Sequence, residues 1–288
     1  MRRVLLPRSV VLLFAAVASW AAPPQRIVST APSITEMLFA LGLGDRIVGV
    51  TEYCRYPEAA RRITKIGTYI QPNVEVILSL EPDLVIIQEN PARLREKFEA
   101  VRLPVLELRH TTIEDIFAAL RTLGRATGVE DRAERVVARM RAELERIRAR
   151  TAQLPRRRVM LVIGRTPGSL RDLFVVGKAS YLNELIAIAG GRNVFADAPA
   201  AYPRVPLEEI LARDPEVIID RGDMGASTEA TEEHKSAVRR LWQQYASLTA
   251  VRRGAVYPVA SDIYVVPGPR MVEAVRAIAR MLHPEADW

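Results

Sequence analysis

Apolar positions along the chain change period repeatedly, and each change marks an element. Ile27 and Val28 close a short apolar run that Pro32 stops, and from Ile34 the spacing of Met37, Leu38 and Leu41 is that of one helical face. Ser33 and Glu36 fit a capping box that would satisfy the first free amides of this helix, while Gly42 and Gly44 can take the left-handed conformation at its end. IVGV at 47–50 then reads as a strand, so the stretch STAPSITEMLFALGLGDRIVGV, beginning at Ser29, is one βαβ unit. Ligands of parallel sheets gather where strand ends meet helix N-termini, which makes the corner at Ala31 to Ser33 a candidate cleft wall.

The same patterning recurs later in the chain. VEVILSLEPDLVII at 74–87 and LEEILARDPEVIID at 207–220 align without gaps as a short amphipathic helix, an acidic residue with proline, and an apolar strand, and Glu75 falls on Glu208. Upstream of each copy, SITEMLFALGLGDRIV at 33–48 resembles SYLNELIAIAGGRNVF at 180–195, with Ser33 on Ser180 and Gly44 on Gly191. Two blocks repeated in one order predict two lobes of similar α/β build. Between them, from Val129 to Leu154, there is no glycine or proline, and Ala133, Val137, Met140, Leu144 and Ile147 form one apolar stripe on an Arg/Glu-rich surface. That is a single helix whose roughly 25 residues would extend about 37 Å, too few heptads for a coiled-coil seam. The fold class expected is therefore α/β: two similar lobes with mainly parallel sheets joined by one long α-helix, with a ligand cleft between them that opens only modestly. The expected boundaries are 1–22 for an export segment, 23–128 for the first lobe, 129–154 for the connecting helix and 155–288 for the second lobe.

Composition changes this picture mainly at the N-terminus. Arg2, Arg3 and Arg8 precede an apolar run from Val10 to Ala18, and Ser19, Ala21 and Ala22 offer small residues for cleavage, which is the pattern of a secretory signal peptide too short to span a bilayer comfortably. Loss of 1–22 would leave 38 basic against 34 acidic residues, an ordinary charge of +4 in place of +7. The single cysteine, Cys54, excludes a disulfide framework and is too far from the export segment to carry a lipid anchor, so an exported, freely soluble protein is expected. The RRR run at 156–158 has no aromatic residues interleaved for stacking on bases and reads as a solvated linker, with no nucleic-acid partner.

Catalytic signatures are missing from the chain. It contains no HExxH, GxSxG or GxGxxG, and VVGKAS at 175–180 fails as a phosphate loop because Asp172 and Ala179 stand where a glycine and a hydroxyl belong. His110, His234 and His283 lie far apart in sequence, two of them in surroundings that read as exposed, so no dedicated metal site is expected. Cys54 reads as a small buried hydrophobe. Aromatic residues, by contrast, flank predicted strand ends and loops: Tyr53, Tyr56, Tyr69, Phe174, Tyr202 and Tyr264. Together they describe an aromatic slot, with Asp262, Arg165, Arg204 and Arg270 available for hydrogen bonds, suited to a large, flat, partly apolar ligand. A two-lobed hydrolase is the rival class, but no set of acid, base and nucleophile can be named for it.

From Arg26 onward the chain resembles the periplasmic substrate-binding proteins of ABC importers for cobalamin, haem and ferric siderophores. The resemblance is carried by RIVSTAPSITEMLFALG, VGVTEYCRYP, IGTYIQPNVEVILSLEPDLVI and VPLEEILARDPEVII, in that order. It implies two lobes joined by one backbone helix, a monomer, no resident cofactor, and delivery of a transported ligand to a homodimeric permease of the inner membrane. TEYCRYP followed by GTYIQPNVE is most similar to the cobalamin-binding members, in which aromatic residues at the positions of Tyr69 and Tyr202 stack on the corrin. This chain has Tyr at both positions where the best-known cobalamin binder has Trp, and Gln88 where that protein has another Trp. Haem and ferric siderophores are the alternative ligands. The resemblance also gives Glu75 and Glu208 the role of docking the permease, one on each lobe.

Overall fold

A computed structural model of the protein describes residues 22–89, 93–222 and 231–288. The predicted export segment lies outside these residues except for Ala22, and no described helix is long and apolar enough to cross a membrane.

The first lobe runs β1 (Ile27–Ser29), α1 (Pro32–Ala40), β2 (Ile47–Val50), α2 (Val74–Ser79), β3 (Leu84–Gln88), α3 (Leu94–Ala100), β4 (Val105–Leu108) and α4 (Ile113–Thr127). Its four strands are all parallel in the order β2-β1-β3-β4. Such strands are covered on both faces and need apolar residues on both, and Val85, Ile86 and Ile87 are accordingly all buried.

α5 (Glu130–Thr151) follows directly. The predicted stripe of Ala133, Val137, Met140, Leu144 and Ile147 is buried along its length, joined by Val136. This stripe belongs to a core cluster that contains side chains of both lobes, from Ile34 and Leu38 on α1 to Val275 and Ile278 near the C-terminus.

The second lobe contains β5 (Arg157–Gly164), β6 (Leu173–Val175), α6 (Tyr181–Ile188), β7 (Gly191–Asn193), β8 (Arg204–Val205), α7 (Leu207–Arg213), β9 (Val217–Asp220), α8 (Glu232–Gln243), α9 (Thr249–Arg252), β10 (Val256–Pro258) and α10 (Met271–Leu282). Its six-stranded sheet runs β10-β9-β5-β6-β8, with β7 pairing β5. Here the sheet is mixed, because β6 pairs both β5 and β8 antiparallel. The sequence repeat is visible in the backbone: α2 leads into β3 and α7 into β9 through turns in which Glu81 and Asp214, each followed by proline, both take positive φ, 45° and 41°. Asp214 earns that conformation by accepting hydrogen bonds from the backbone N–H and hydroxyl of Thr249, each at 2.7 Å.

The expected capping box at the first corner does not form. Pro32 takes the first helical position, so Ala31 is the N-cap with no side-chain bond, and Ser33 and Glu36 lie too far into the helix to close the box. Ser33 instead approaches Gln88 Oε1 at 3.5 Å, and Glu36 is buried in an ion pair with Arg270. Gly42 does take the left-handed conformation, φ 71°, whereas Gly44 opens a 3-10 turn with no positive φ. The equivalent serine of the repeat, Ser180, is a true cap, accepting from the N–H of Leu182 at 3.2 Å.

Candidate functional site

Strand ends of both sheets open onto one cavity of about 1000 Å³ between the lobes. Ala31, Pro32 and Ser33, at the start of α1, form part of its wall, and Ala179, Ser180 and Tyr181, at the start of α6, come to it from the other lobe. The first corner is thus a cleft wall although its expected cap is absent.

Of the aromatic residues singled out from the sequence, Tyr53, Tyr69 and Tyr202 line the cleft. Tyr53 leaves 51% of its surface exposed, and Tyr69 packs in part against the main core. Tyr202 leaves 39% exposed while its hydroxyl is buried, accepting from Ser180 Oγ at 3.2 Å, and burial pushes its pKa up. The ring is therefore offered to the cavity and the polar tip is tied down.

Three aromatic expectations are corrected. Tyr264 is only 4% exposed and belongs to the core, because its 3-10 turn (Asp262–Tyr264) directs it against α10 and away from the cleft. Phe174 is a strand residue, not a loop residue: it alternates with the buried Leu173 and Val175 on β6 and does not reach the cavity lining. Tyr56 is half exposed but is covered by the Arg270 guanidinium, 4.0 Å from its ring centroid, and is likewise not in the lining.

The polar residues divide in the same way. Asp262 lines the cleft. Arg270 does not, because it is committed to the carboxylates of Asp262, at 2.9 Å, and Glu36, whose Oε2 accepts from Nε at 3.0 Å. This knot joins α1 of the first lobe to the start of α10 in the second, and burial pushes the Glu36 carboxyl up to about 7 against the pull of Arg270. Gly268 packs close beside it: a Cβ there would lie 3.1 Å from Glu36 Oε2, so the carboxylate would have to yield by a few tenths of an ångström. Arg165 is buried within the second lobe, bonded to Asp220 at 3.2 Å, and Arg204 is paired with Asp172 outside the cleft. The arginines that do line the cavity are Arg55, Arg109 and Arg221; Arg109 pairs with Glu89 at 3.4 Å.

Two further lining residues were not anticipated. His110 follows β4 and is 6% exposed, and Tyr181 is 1% exposed. Among the described residues neither the imidazole nitrogens of His110 nor the Tyr181 hydroxyl makes a well-formed hydrogen bond, the nearest backbone group to the imidazole being that of Leu108. Burial pushes the His110 pKa down to about 4, so the ring is neutral, and raises that of Tyr181. The strand-end rule that marks tyrosines would have found His110 and Arg221 had it been applied to polar residues.

The expectation that two histidines are exposed is reversed, since His110 and His283 are both buried. Among the described residues no cluster of His, Cys, Asp and Glu could hold a metal ion. Cys54 is buried between Thr35 and Thr51, its sulfur within 3.2 Å and 3.1 Å of their hydroxyls, and desolvation raises its pKa, which keeps it a thiol. Glu75 and Glu208 are both exposed in the first turns of α2 and α7. Glu208 also lines a second depression of the second lobe, bounded by Arg171, Arg204 and Tyr245.

The profile of the periplasmic binding protein family matches residues 27–262, and the chain belongs to that family. It is accordingly a binding protein and not an enzyme. The vitamin B12-binding protein of Pectobacterium carotovorum is 29% identical over 266 residues, covering 90% of this chain and 88% of the relative. The vitamin B12-binding protein of Yersinia pseudotuberculosis is 32% identical over 220 residues, 75% of this chain and 77% of the relative. Among solved structures, the periplasmic vitamin B12-binding protein BtuF of Vibrio cholerae superposes with a TM-score of 0.77 at 27% identity, covering 92% of this chain and 98% of its own. A periplasmic heme-binding protein of Pseudomonas aeruginosa does so with a TM-score of 0.78 at 26% identity, covering 92% and 94%.

Proposed function

We propose that the protein is exported to the periplasm, captures a corrinoid of the cobalamin type in its interlobe cleft and delivers it to an ABC importer. The observation that carries this reading is the placement of Tyr69 and Tyr202 on different lobes, both in the lining of one cavity of about 1000 Å³. Rings offered from two sides suit a large flat macrocycle, and Tyr53 adds apolar area at the same surface. The vitamin B12-binding names of the relatives point the same way. Arg2, Arg3 and Arg8 followed by the Val10–Ala18 run support export and cleavage of 1–22, and 23–128, 129–154 and 155–288 are the proposed lobe and linker boundaries. Glu75 and Glu208 are proposed to dock a homodimeric permease, with the binding protein itself monomeric.

The second reading, a haem or ferric siderophore, is favoured by Arg55, Arg109 and Arg221 in the lining, which suit an anionic ligand, and by the heme-binding structural relative. Titration of the purified protein with cyanocobalamin, haemin and several ferric siderophores, followed by tryptophan fluorescence and visible absorbance, decides between them. Saturable binding of cyanocobalamin in preference to the others is expected. Preference for haemin or a siderophore overturns the corrinoid reading.

A further inference from the structure

Among the described residues, the cleft lining holds two buried side chains whose polar atoms all lack a well-formed hydrogen bond: the imidazole of His110 and the hydroxyl of Tyr181. A buried polar group left unpartnered is destabilising, and native proteins keep few of them. Here two whole side chains, one from each lobe, stand in that state at one cavity. His110 stands at the end of β4 in the first lobe, and Tyr181 is the first residue of α6 in the second. Neither is needed by the neighbouring interactions, since Ser180 caps α6 and the Tyr202 hydroxyl already has Ser180.

We infer that His110 and Tyr181 form a divided hydrogen-bonding pair, one group from each lobe, that engages the uncharged amide edge of the bound macrocycle. The inference rests on the corrinoid reading and adds to it the part of the ligand recognised and the residues that recognise it. A neutral imidazole carries one donor and one acceptor, and a phenol hydroxyl donates and accepts. A primary amide offers the complementary pair, N–H and C=O, whereas a carboxylate only accepts and would leave one imidazole nitrogen unused. Corrin rings carry peripheral acetamide and propionamide groups; the polar edge of haem consists of two carboxylates. Charge on a ligand is matched elsewhere in the lining by Arg55, Arg109 and Arg221. The polar atoms of His110 and Tyr181 are buried in the cleft wall, so engagement requires each side chain to turn toward the cavity, a side-chain rearrangement of a kind common at binding sites. Because the two groups sit on different lobes, both contacts form only when both lobes grip the ligand.

The test is calorimetric titration of the full mature protein with cyanocobalamin and haemin, paired with thermal melts, for the parent, Tyr181→Phe, His110→Leu and His110→Gln. Tyr181→Phe and His110→Leu are each expected to bind cyanocobalamin roughly three- to tenfold more weakly while melting no lower than the parent, since each removes an unpartnered polar atom. His110→Gln, which keeps a donor and an acceptor, should recover most of the affinity, and haemin binding should change less than cyanocobalamin binding in every variant. A packing role predicts the opposite combination, lower melting with unchanged affinity. Cyanocobalamin binding equal to the parent in both Tyr181→Phe and His110→Leu overturns the pair alone and leaves the corrinoid reading intact. A parent that binds haemin and ignores cyanocobalamin overturns the corrinoid reading and the pair with it. Should His110→Leu fail to fold, Tyr181→Phe, which removes one oxygen, decides the matter.

Discussion

Two kinds of residue face the cleft, and they make different contributions. Tyr69 and Tyr202 supply flat apolar area, so replacing either by alanine should weaken binding of a planar macrocycle by on the order of 1 kcal/mol or more, read by titration, with a smaller change in melting temperature. Phe174→Ala should leave affinity at the parent value, because its strand keeps it out of the lining. A stacking loss at Phe174 equal to that at Tyr202 would show that the cleft is placed wrongly. His110 contributes through its protonation. Its ring is neutral because burial holds its pKa at about 4, below the ordinary 6.5 of an exposed imidazole. Between those values the unfolded chain takes up a proton that the folded protein refuses, so stability is undiminished above pH 6.5 and is lost as pH falls toward 4. At about 1.4 kcal/mol per pKa unit the loss approaches roughly 3 kcal/mol. Denaturant titrations at pH 7.5 and 4.5 should therefore show a larger fall for the parent than for His110→Gln; equal falls would assign the acid sensitivity to other groups.

At the scale of elements, the two helix starts that meet the cleft are related by the repeat yet stabilised differently. Ser180 accepts from Leu182 N–H and has a side-chain cap to lose, so Ser180→Ala should cost about 1 kcal/mol in chemical denaturation. Ser33→Ala should cost less than half of that, since Pro32 sets the start of α1 and Ser33 only approaches Gln88. Equal costs would restore the capping box that the structure lacks. The contrast also shows which elements patterning can reveal. The stripe from Ala133 to Ile147 was legible because every fourth or third position had to be apolar to lie against both lobes, and the α2–β3 and α7–β9 repeat was legible because helix, turn and strand each impose their own period. Ser33 with Glu36 satisfied the same local rule as a real cap, but a carboxylate that meets a guanidinium 234 residues away is drawn inward by a contact no local pattern carries. Tyr264, Arg165 and Arg270 were misplaced for that reason: each finds its partner in tertiary packing, in the core, at Asp220 and at Glu36.

For the whole molecule, the consequence of the repeat is that its two lobes present Glu75 and Glu208 at equivalent points, each exposed in the first turn of a short helix. A carboxylate there favours the helix dipole by a few tenths of a kcal/mol, roughly, and that alone would explain either residue. It does not explain why both occur at the same step of the repeat. A homodimer offers the same surface twice, related by a twofold axis, and a two-lobed protein that straddles it needs one matching group on each lobe. Carboxylates at a contact rim meet arginine in charge-assisted bonds that govern association and its salt dependence more than the final affinity. The cleft lining contains neither glutamate, so ligand capture and docking should separate in a mutant. Glu75→Ala combined with Glu208→Ala should bind cyanocobalamin and melt like the parent, while complex formation with the permease in proteoliposomes weakens and uptake slows, most clearly at low ionic strength where the parent gains most from charge. The single variants should each lose part of the effect, since each leaves one lobe anchored. Normal uptake by the double variant, or a loss of ligand affinity as large as the loss of docking, would return both glutamates to the helix dipole and leave the symmetry of the lobes without a partner to match it.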